Sequence, residues 1–388
     1  MKIHSHIKYF NIVICCFLFV SGVSLAQNNI EINGYLQNFQ TVWKPKGNDK
    51  LNLTNTINNR FNFTYFPSDN VTLTADMRNI IEYGDFISSI PGYADIITKD
   101  NGYFNLTNKI SSGNSYVFYN NIDRLNILYS KGNTEIQLGR QRINLGINLV
   151  WTPNDIFNSS SFLDFDYVEK AGSDALRFQY YTGIASSIEF VYKLNAEKEI
   201  SAAGIFKFNK WQYDFQILTG QMEKDYIFGI GWAGQIANTG FTGEMTYFRN
   251  KKNFNDKTGI VVAAIGCSYT FSNSLAIHGE FLFNSNGKTE NAGLFNNPFS
   301  QKYSAKNLSL AKYSVFAQIS YPVTPLISAD ISSIFNPSDK SFYAGPSLNI
   351  SLTENIYFLA ATQFFSGKQF SEWGNYGQFY FLRLKWNF

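Results

Sequence analysis

The residues of this sequence with the clearest chemical potential are its arginines, because nearly all of them fall within segments that alternate between apolar and polar residues. Seven arginines and a nearby lysine lie in such segments, and only Arg249 falls outside: Arg60, Arg78, Arg124, Arg140, Arg142, Arg177, Arg383 and Lys385. A guanidinium group stays protonated and binds carboxylates or phosphates through a fork of hydrogen bonds. On one wall of a water-filled space, these groups would attract anions or pair with wall acids.

The acidic counterpart is a long connection between two alternating segments, residues 147–172. Five acids lie on it or directly after it: Asp155, Asp164, Asp166, Glu169 and Asp174. If this connection folds inward, a basic wall opposite an acidic loop sets up a transverse field that selects among ions and solutes. Alternatively, the arginines pair with wall acids such as Asp76 and Glu82 and only rigidify the interior. The sequence leaves both interpretations open.

The first 26 residues predict a cleaved secretory signal peptide. Lys2 and Lys8 give a basic start, residues 9–20 are almost wholly apolar, and Ser24 and Ala26 are small residues at a cleavage site. The apolar run is too short to cross about 30 Å of hydrocarbon as a helix. We therefore expect residues 27–388 to form a single domain, in which Cys267 is the one cysteine and no disulfide can form.

The composition is unusual for a water-soluble domain. Charged residues make up 16% and aromatic residues 17% of the chain, whereas soluble domains carry about 25% charge. Abundant Phe and Tyr beside Asn, Ser, Thr and Gly suit strands that face water on one side and lipid on the other. Without the two lysines of the leader, the 32 basic residues fall to 30 against 29 acids, so nothing favours nucleic acid as a partner.

Alternation with a period of two is clearest at the C-terminus. One face of the last segment carries Tyr380, Leu382, Leu384, Trp386 and Phe388; the other carries Arg383, Lys385 and Asn387, with Phe379 and Phe381 as exceptions. Counting such segments gives about 18 strands, with 16 as the alternative. The predicted fold is all-β, a transmembrane antiparallel barrel. Predicted strands start at residues 30, 51, 71, 121, 134, 173, 186, 199, 211, 226, 240, 259, 275, 308, 326, 341, 355 and 377.

The connections between these segments alternate in length. Long ones are predicted at 85–120, 147–172, 284–307 and 366–376, with short turns between them. A barrel with both termini in the periplasm has this arrangement, because its periplasmic turns are short and its outer loops long.

The parity of each strand decides which way its arginine points. Five of the arginines share the polar face of their strand: Arg60, Arg78, Arg124, Arg177 and Arg383. Ile136 and Leu138 would turn Arg140 and Arg142 towards lipid, where a charge costs about 2–4 kcal/mol near the midplane. A bulge at Gly139 would turn both inward. These strands are near neighbours in a closed barrel, so we expect an arc of basic groups.

The sequence gives little support for a catalytic function. His278 is the one histidine after the leader, and its surroundings do not match the His-x-Ser-Asn-Gly arrangement of barrel phospholipases. We expect a wall histidine and no catalytic residue. No phosphate loop, dinucleotide fingerprint or zinc-binding spacing occurs, so we expect no cofactor and no metal.

Three stretches carry a resemblance to a known group. They are LGRQRINLG at 138–146, WTPNDIFN at 151–158 and GSDALR at 172–177. Together they resemble outer-membrane porins of the alginate-export and carbohydrate-porin type, although Leu145 stands where related sequences often carry Trp. Phe388 is similar to the aromatic terminus that the barrel-insertion machinery reads. The resemblance implies a Gram-negative outer-membrane location, contact with lipid and lipopolysaccharide, and a diffusion channel.

We therefore expect a porin-like channel for passive or facilitated diffusion of small hydrophilic solutes, anionic ones included. The first alternative is a transporter of hydrophobic or bulky compounds. The second is a hydrolase embedded in the barrel. Porins often form homotrimers, but the apolar exterior is explained equally well by lipid, so the oligomeric state stays open, as do the solute and the pore radius.

Overall fold

The computed structural model describes residues 29–164, 169–255, 258–293 and 303–388. The predicted signal peptide lies outside the described residues. Two short helices, α1 (Asp85–Ser89) and α2 (Tyr93–Ile97), occur in the long connection predicted at 85–120. Within the described part of the chain, no helix is both long and apolar enough to cross a membrane.

The described residues form strands over most of their length. These are β1 (Ile30–Lys44), β2 (Asn52–Ser68), β3 (Val71–Gly84), β4 (Thr107–Ser112), β5 (Tyr116–Lys131), β6 (Thr134–Gln141), β7 (Ser173–Gly183), β8 (Ser186–Leu194), β9 (Ile200–Lys210), β10 (Tyr213–Met222), β11 (Asp225–Ile236), β12 (Thr239–Asn250), β13 (Ile260–Thr270), β14 (Ala276–Asn284), β15 (Tyr313–Thr324), β16 (Ile327–Asn336), β17 (Ser341–Ser351), β18 (Ile356–Ser366) and β19 (Gln378–Asn387).

Eighteen of these strands pair with their neighbours in an antiparallel sheet that closes on itself. The closing pair is β1 with β19, in register from Tyr35 opposite Asn387 to Lys44 opposite Gln378. Gly34 and Phe388 extend the pair, since each donates its N–H to the carbonyl of the other at 3.0 Å. Closure leaves the main sheet without a free edge, which is what a spanning sheet needs in lipid.

The predicted 18-stranded barrel is confirmed, and most predicted strand starts lie within two residues of the observed ones. Two are five residues off: β5 begins at Tyr116 rather than 121, and β15 begins at Tyr313 rather than 308. Arg249, expected outside the strands, lies in β12. The alternation also holds, because Leu382 and Leu384 of β19 are exposed apolar residues whereas Phe381 is buried.

β4 is the strand that the alternation did not predict. It pairs with the N-terminal half of β5, from Thr107 opposite Asn121 to Ser112 opposite Val117. β6 pairs with the C-terminal half of β5 and ends at Gln141. β4 therefore takes the place beside β5 that the short β6 leaves open.

The reversal of side-chain direction in β6 occurs at Gly139, as expected, but not through a bulge. Leu138 is 56% exposed and Arg140 only 4%, so parity changes between them. The β5–β6 register runs through Gly139 without a shift. The reversal comes instead from the backbone of Gly139, whose φ of +118° is a conformation that glycine adopts without strain. A Cβ at this position would lie 2.3 Å from the carbonyl oxygen of Leu125.

Candidate functional site

The connection from Arg142 to Gly172, here called the inner loop, is bonded to strands on several sides of the barrel. Glu244 of β12 is buried and accepts backbone N–H groups from Ile147, Asn148 at 2.7 Å and Asn154 at 2.9 Å. The Asn154 side chain in turn donates to the carbonyl of Ile230 on β11 at 3.0 Å. A carboxylate with three N–H donors makes strong, charge-assisted bonds.

A second buried carboxylate, Glu280 of β14, holds the next part of the inner loop. It accepts N–H groups from Leu149 at 2.8 Å, Val150 at 2.9 Å and Trp151 at 3.0 Å. Nε2 of His278 lies 2.8 Å from the same carboxylate. His278 thus contacts an acid that already orients the loop.

The same part of the inner loop packs its apolar side chains against the wall from β8 to β17, here called the apolar wall. The loop contributes Ile143, Leu145, Val150, Trp151, Ile156 and Phe157 to one buried cluster. The wall contributes Val191, Ile205, Leu218, Ile227, Phe248, Val262, Leu282, Phe316, Ile334 and Tyr343. Burial of this apolar surface, at about 25 cal/mol per Å², fixes residues 143–157 of the loop on one side of the interior.

The acids of the inner loop occupy different surroundings. Asp155 is buried, and burial raises its pKa to about 6, although Arg142 and the N–H of Asn158 act in the other direction. Asp164 is 55% exposed and lies 4.0 Å from the ammonium group of Lys170. Asp166 is outside the described residues.

Glu169 lies where the inner loop approaches β1 and β5. Its carboxylate accepts the hydroxyl of Tyr35 at 3.3 Å. Its backbone carbonyl accepts a hydrogen bond from the guanidinium of Arg124 at 2.5 Å. Lys385 lies over the ring of Tyr35, 4.0 Å from its centroid. This corner brings an acid of the loop together with two predicted cations of the wall.

The inward faces of β19, β1, β2, β3 and β5 form the basic wall, defined by Arg60, Arg78, Arg124, Arg383 and Lys385. Arg60 is 2% exposed and bonds Asp123 at 2.7 Å and Asp76 at 2.9 Å. Arg78 shares Asp123 at 3.3 Å. Asp123 can reach both because β5 has an irregularity there, where the register with β3 shifts. Two cations and two acids thus neutralise each other within the wall.

Arg140 is the centre of a second network. It bonds both oxygens of Asp174, at 2.7 and 2.9 Å, and Asp100 at 2.7 Å. Burial alone would raise the pKa of Asp100, but hydrogen bonds from Arg140 and from the N–H groups of Gly102 and Leu106 lower it below its ordinary value. Asp174 is the second residue of β7 and belongs to the wall rather than to the loop.

The remaining predicted cations are placed separately. Arg177 of β7 bonds Glu189 at 2.7 Å, and Lys207 reaches the same carboxylate at 3.5 Å. Arg142 stands at the start of the inner loop, half-buried and within electrostatic reach of Asp155. Arg383 is half-buried on the inward face of β19. The structure therefore divides the predicted arc into the basic wall, the networks of Arg140 and Arg177 beside it, and Arg142 in the inner loop.

A row of stacked aromatic rings occupies the inward face of the closing strands β1 and β19, on the N-terminal side of Arg383 in β19. Phe379 stacks on Trp43 with centroids 5.9 Å apart, and Phe381 stacks on Phe39 at 5.5 Å. Phe379 and Phe381 lie 6.0 Å apart and nearly parallel. The two exceptions to the terminal alternation are thus explained by packing among inward-facing rings.

Sequence reasoning missed the acids that organise this interior. Glu244, Glu280 and Asp123 were not singled out, although each is almost fully buried. A signal did exist for the first two, since each is a carboxylate on the inward face of a strand with few other charges. Glu82, which the sequence analysis names as a possible arginine partner, accepts the hydroxyls of Tyr93 at 2.6 Å and Tyr119 at 3.1 Å.

The fold is similar to that of solved bacterial proteins. The outer membrane protein OprD from Pseudomonas aeruginosa aligns over 93% of this chain and 94% of its own, with a TM-score of 0.59 and 8% identity. Acinetobacter baumannii OccAB4 aligns over 94% and 100%, with 0.57 and 10%. Pseudomonas aeruginosa OccK8 (OprE) aligns over 93% and 98%, with 0.57 and 11%.

These likenesses, at such low identity, concern the fold alone. No family model matches the sequence. No curated protein matches it either. The predicted barrel of the outer-membrane type is confirmed as a fold, and its solved neighbours are OprD and Occ proteins. The alginate-export subtype remains a prediction.

Proposed function

We propose that this chain is a porin-like channel of the Gram-negative outer membrane, through which small hydrophilic solutes, anionic ones included, diffuse passively or by facilitated diffusion. The observation that carries the proposal is the inner loop, bonded to Glu244 and Glu280 on one side while its acids Asp164 and Glu169 approach the basic wall. A loop held against one wall narrows a lumen without filling it. We therefore take the inner loop as the constriction.

The orientation follows from the connections. Long connections lie at one end of the barrel and short turns at the other, as in barrels whose turns are periplasmic. The long end would face outward among lipopolysaccharide, and Phe388 would be presented to the insertion machinery from the periplasm. The fold shared with the outer membrane protein OprD supports this location.

The cations divide into two roles under this proposal. Arg60, Arg140 and Arg177 bond carboxylates directly and stiffen the wall. Arg124 and Lys385 surround Glu169, and Arg78, which also lies 3.3 Å from Asp123, acts on Asp164. We assign the selectivity of the constriction to this second group, together with Arg383.

Reconstitution of the full chain into planar bilayers tests the proposal. We expect stepwise conductance, and liposome swelling with small sugars and sugar acids. Barrels that insert fully but show neither stepwise conductance nor solute flux would overturn it. Faster flux of sugar acids than of neutral sugars of equal size would support an anion-preferring pore and the resemblance to alginate-export porins.

We also propose that the barrel is not an enzyme. His278 is the one histidine after the predicted leader and already contacts Glu280. Purified barrel should therefore hydrolyse neither phospholipids nor esters; hydrolysis that disappears in His278→Ala would contradict this. Homotrimer formation is a further proposal, which native mass spectrometry in mild detergent tests.

A further inference from the structure

A groove open to the membrane lies on the outer surface of the barrel, between β11 and β12, near the end with the long connections. Its volume is about 380 Å³, and it is lined by Tyr226, Ile227, Phe228, Tyr247, Arg249 and Phe254. Four of these side chains are exposed aromatic rings. Aromatic residues at this height are usual for a barrel, but a concave group of four beside an arginine is a shaped surface.

Arg249 differs in position from the seven other arginines, which all belong to the basic wall, to the two networks beside it or to the inner loop. It shares the outward face of β12 with Tyr247, while Phe248 between them is buried and points inward. A charge on the lipid face is costly at the midplane and nearly free of cost near the interface. Arg249 is the last residue but one of β12, so its guanidinium can reach the depth of lipid headgroups.

A second cation stands beside it. Lys251 lies 5.6 Å from the ring centroid of Tyr226 and donates to the side chain of Gln221 and the carbonyl of Glu223. Arg249 lies 5.2 Å from the ring centroid of Phe254 and donates to its carbonyl. Within the described residues, neither cation has a carboxylate oxygen within 4.0 Å. Lys252, the next residue, is exposed.

We propose that this groove binds the phosphorylated lipid A portion of lipopolysaccharide, with phosphate at Arg249 and Lys251 and an acyl chain along Phe228 and Tyr247. The two cations match an anionic headgroup, and the rings match hydrocarbon just below it. The choice of lipid A over a phospholipid rests on the proposed orientation, because the outer leaflet faces the long connections. The site requires no contribution from the lumen.

Native mass spectrometry of the detergent-solubilised full chain, with added bisphosphorylated lipid A, tests the site. We expect lipid A to remain bound, and Arg249→Ala and Lys251→Ala to weaken binding about fivefold each, the effect of one basic residue near a charged lipid surface. Lys224→Ala is the matched control, because this exposed lysine lies on the same rim but pairs with Glu199 at 2.9 Å. It should change binding less than twofold.

Further measurements distinguish specific binding of phosphorylated lipid A from binding of other lipids. Dephosphorylated lipid A should bind the wild type as weakly as bisphosphorylated lipid A binds the variants. Equal binding of phosphatidylglycerol, or equal losses in all three variants, would overturn the proposal. Heat-modifiable mobility on gels verifies that each variant is folded. Loss of lipid binding with intact conductance would refute this site alone, whereas retained binding without conductance would refute the channel.

Discussion

The basic wall and the apolar wall accommodate buried charge in different ways. In the basic wall, Arg60 and Arg78 meet Asp76 and Asp123 of the same sheet, so the charges are satisfied by the wall itself. In the apolar wall, the acids Glu244 and Glu280 bond the backbone of the inner loop instead. The buried Arg60 is paired without the loop, although Arg124 of the same wall donates to the loop carbonyl of Glu169. Glu244 and Glu280, by contrast, take their N–H donors from the loop.

This difference explains why the loop lies to one side. A buried carboxylate without donors is costly, so the apolar wall favours the docked loop, and the apolar side chains of the loop add to the same preference. The basic wall favours docking less strongly, because its most buried charge, Arg60, is already paired within the sheet and a bond from this wall to the loop comes from the half-buried Arg124. We therefore expect the water path to run along the basic wall.

The largest effect is expected from breaking the basic wall at its most buried charge. Arg60→Ala leaves Asp123 and Asp76 without their main partner, and removal of one member of a buried pair costs about 3–5 kcal/mol. The free energy of unfolding in urea, measured in lipid vesicles, should fall by that amount. Lys252→Ala, at an exposed position, is the control and should change it by less than about 0.5 kcal/mol. Equal values for both would show that the wall does not depend on this network.

The variant Glu280→Ala removes one set of bonds between the apolar wall and the inner loop. Three N–H groups of the loop then lose their acceptor, at about 1–3 kcal/mol for each one that stays buried, so the loop moves towards water rather than remain docked. Single-channel conductance should rise about twofold, with a smaller loss of stability than for Arg60→Ala. Glu354→Ala, in an exposed turn at the opposite end, serves as the control. Unchanged conductance would contradict a constricting role for the inner loop.

Charge removal at the surface of the basic wall sharpens the comparison further. Neutralising Arg383 and Lys385 together with glutamine should lower the anion-to-cation permeability ratio about twofold, since rings of charge set ion selectivity. Reversal potentials across a KCl gradient measure the ratio. Replacing Arg177 with glutamine is the comparison, because its guanidinium already bonds Glu189. A larger change at Arg177 would reverse the roles assigned here.

The smallest effect concerns pH. Because the pKa of Asp155 is raised from 3.8 to about 6, ionised Asp155 weakens loop docking above pH 6, and that penalty fades as the pH falls towards 4. Amide exchange across residues 147–158, corrected for intrinsic rates, should therefore slow between pH 7 and pH 5. Arg142, Lys193 and Glu244 also act on this carboxylate. Asp155→Asn should remove the dependence; a dependence that persists would assign it to another group.

Sequence reasoning predicted the parts of the molecule that depend on local pattern. The alternation of β19 predicted its inward Arg383 and outward Leu382, and the cost of charge in lipid predicted that Arg140 would turn inward at Gly139. The bonds of Glu244 and Glu280 to the inner loop join residues about 90 to 130 positions apart, and no local pattern encodes them. β4 escaped notice because its place depends on where β6 ends, which is a property of the assembled sheet.

β4 has a consequence for motion. Its strand pairing is with β5 alone among the described residues, and five of its six residues are exposed, so few buried contacts oppose its release, although Lys109 bonds Asp95 and Thr107 bonds Asp100. Local opening free energies are smallest where buried contacts are few. Its amide protons should exchange with solvent before those of the 18 barrel strands. When β4 detaches, the N-terminal half of β5 loses its partner on the side where β6 is short. The barrel thus has one section of wall that can open on its own while the rest of the sheet stays closed.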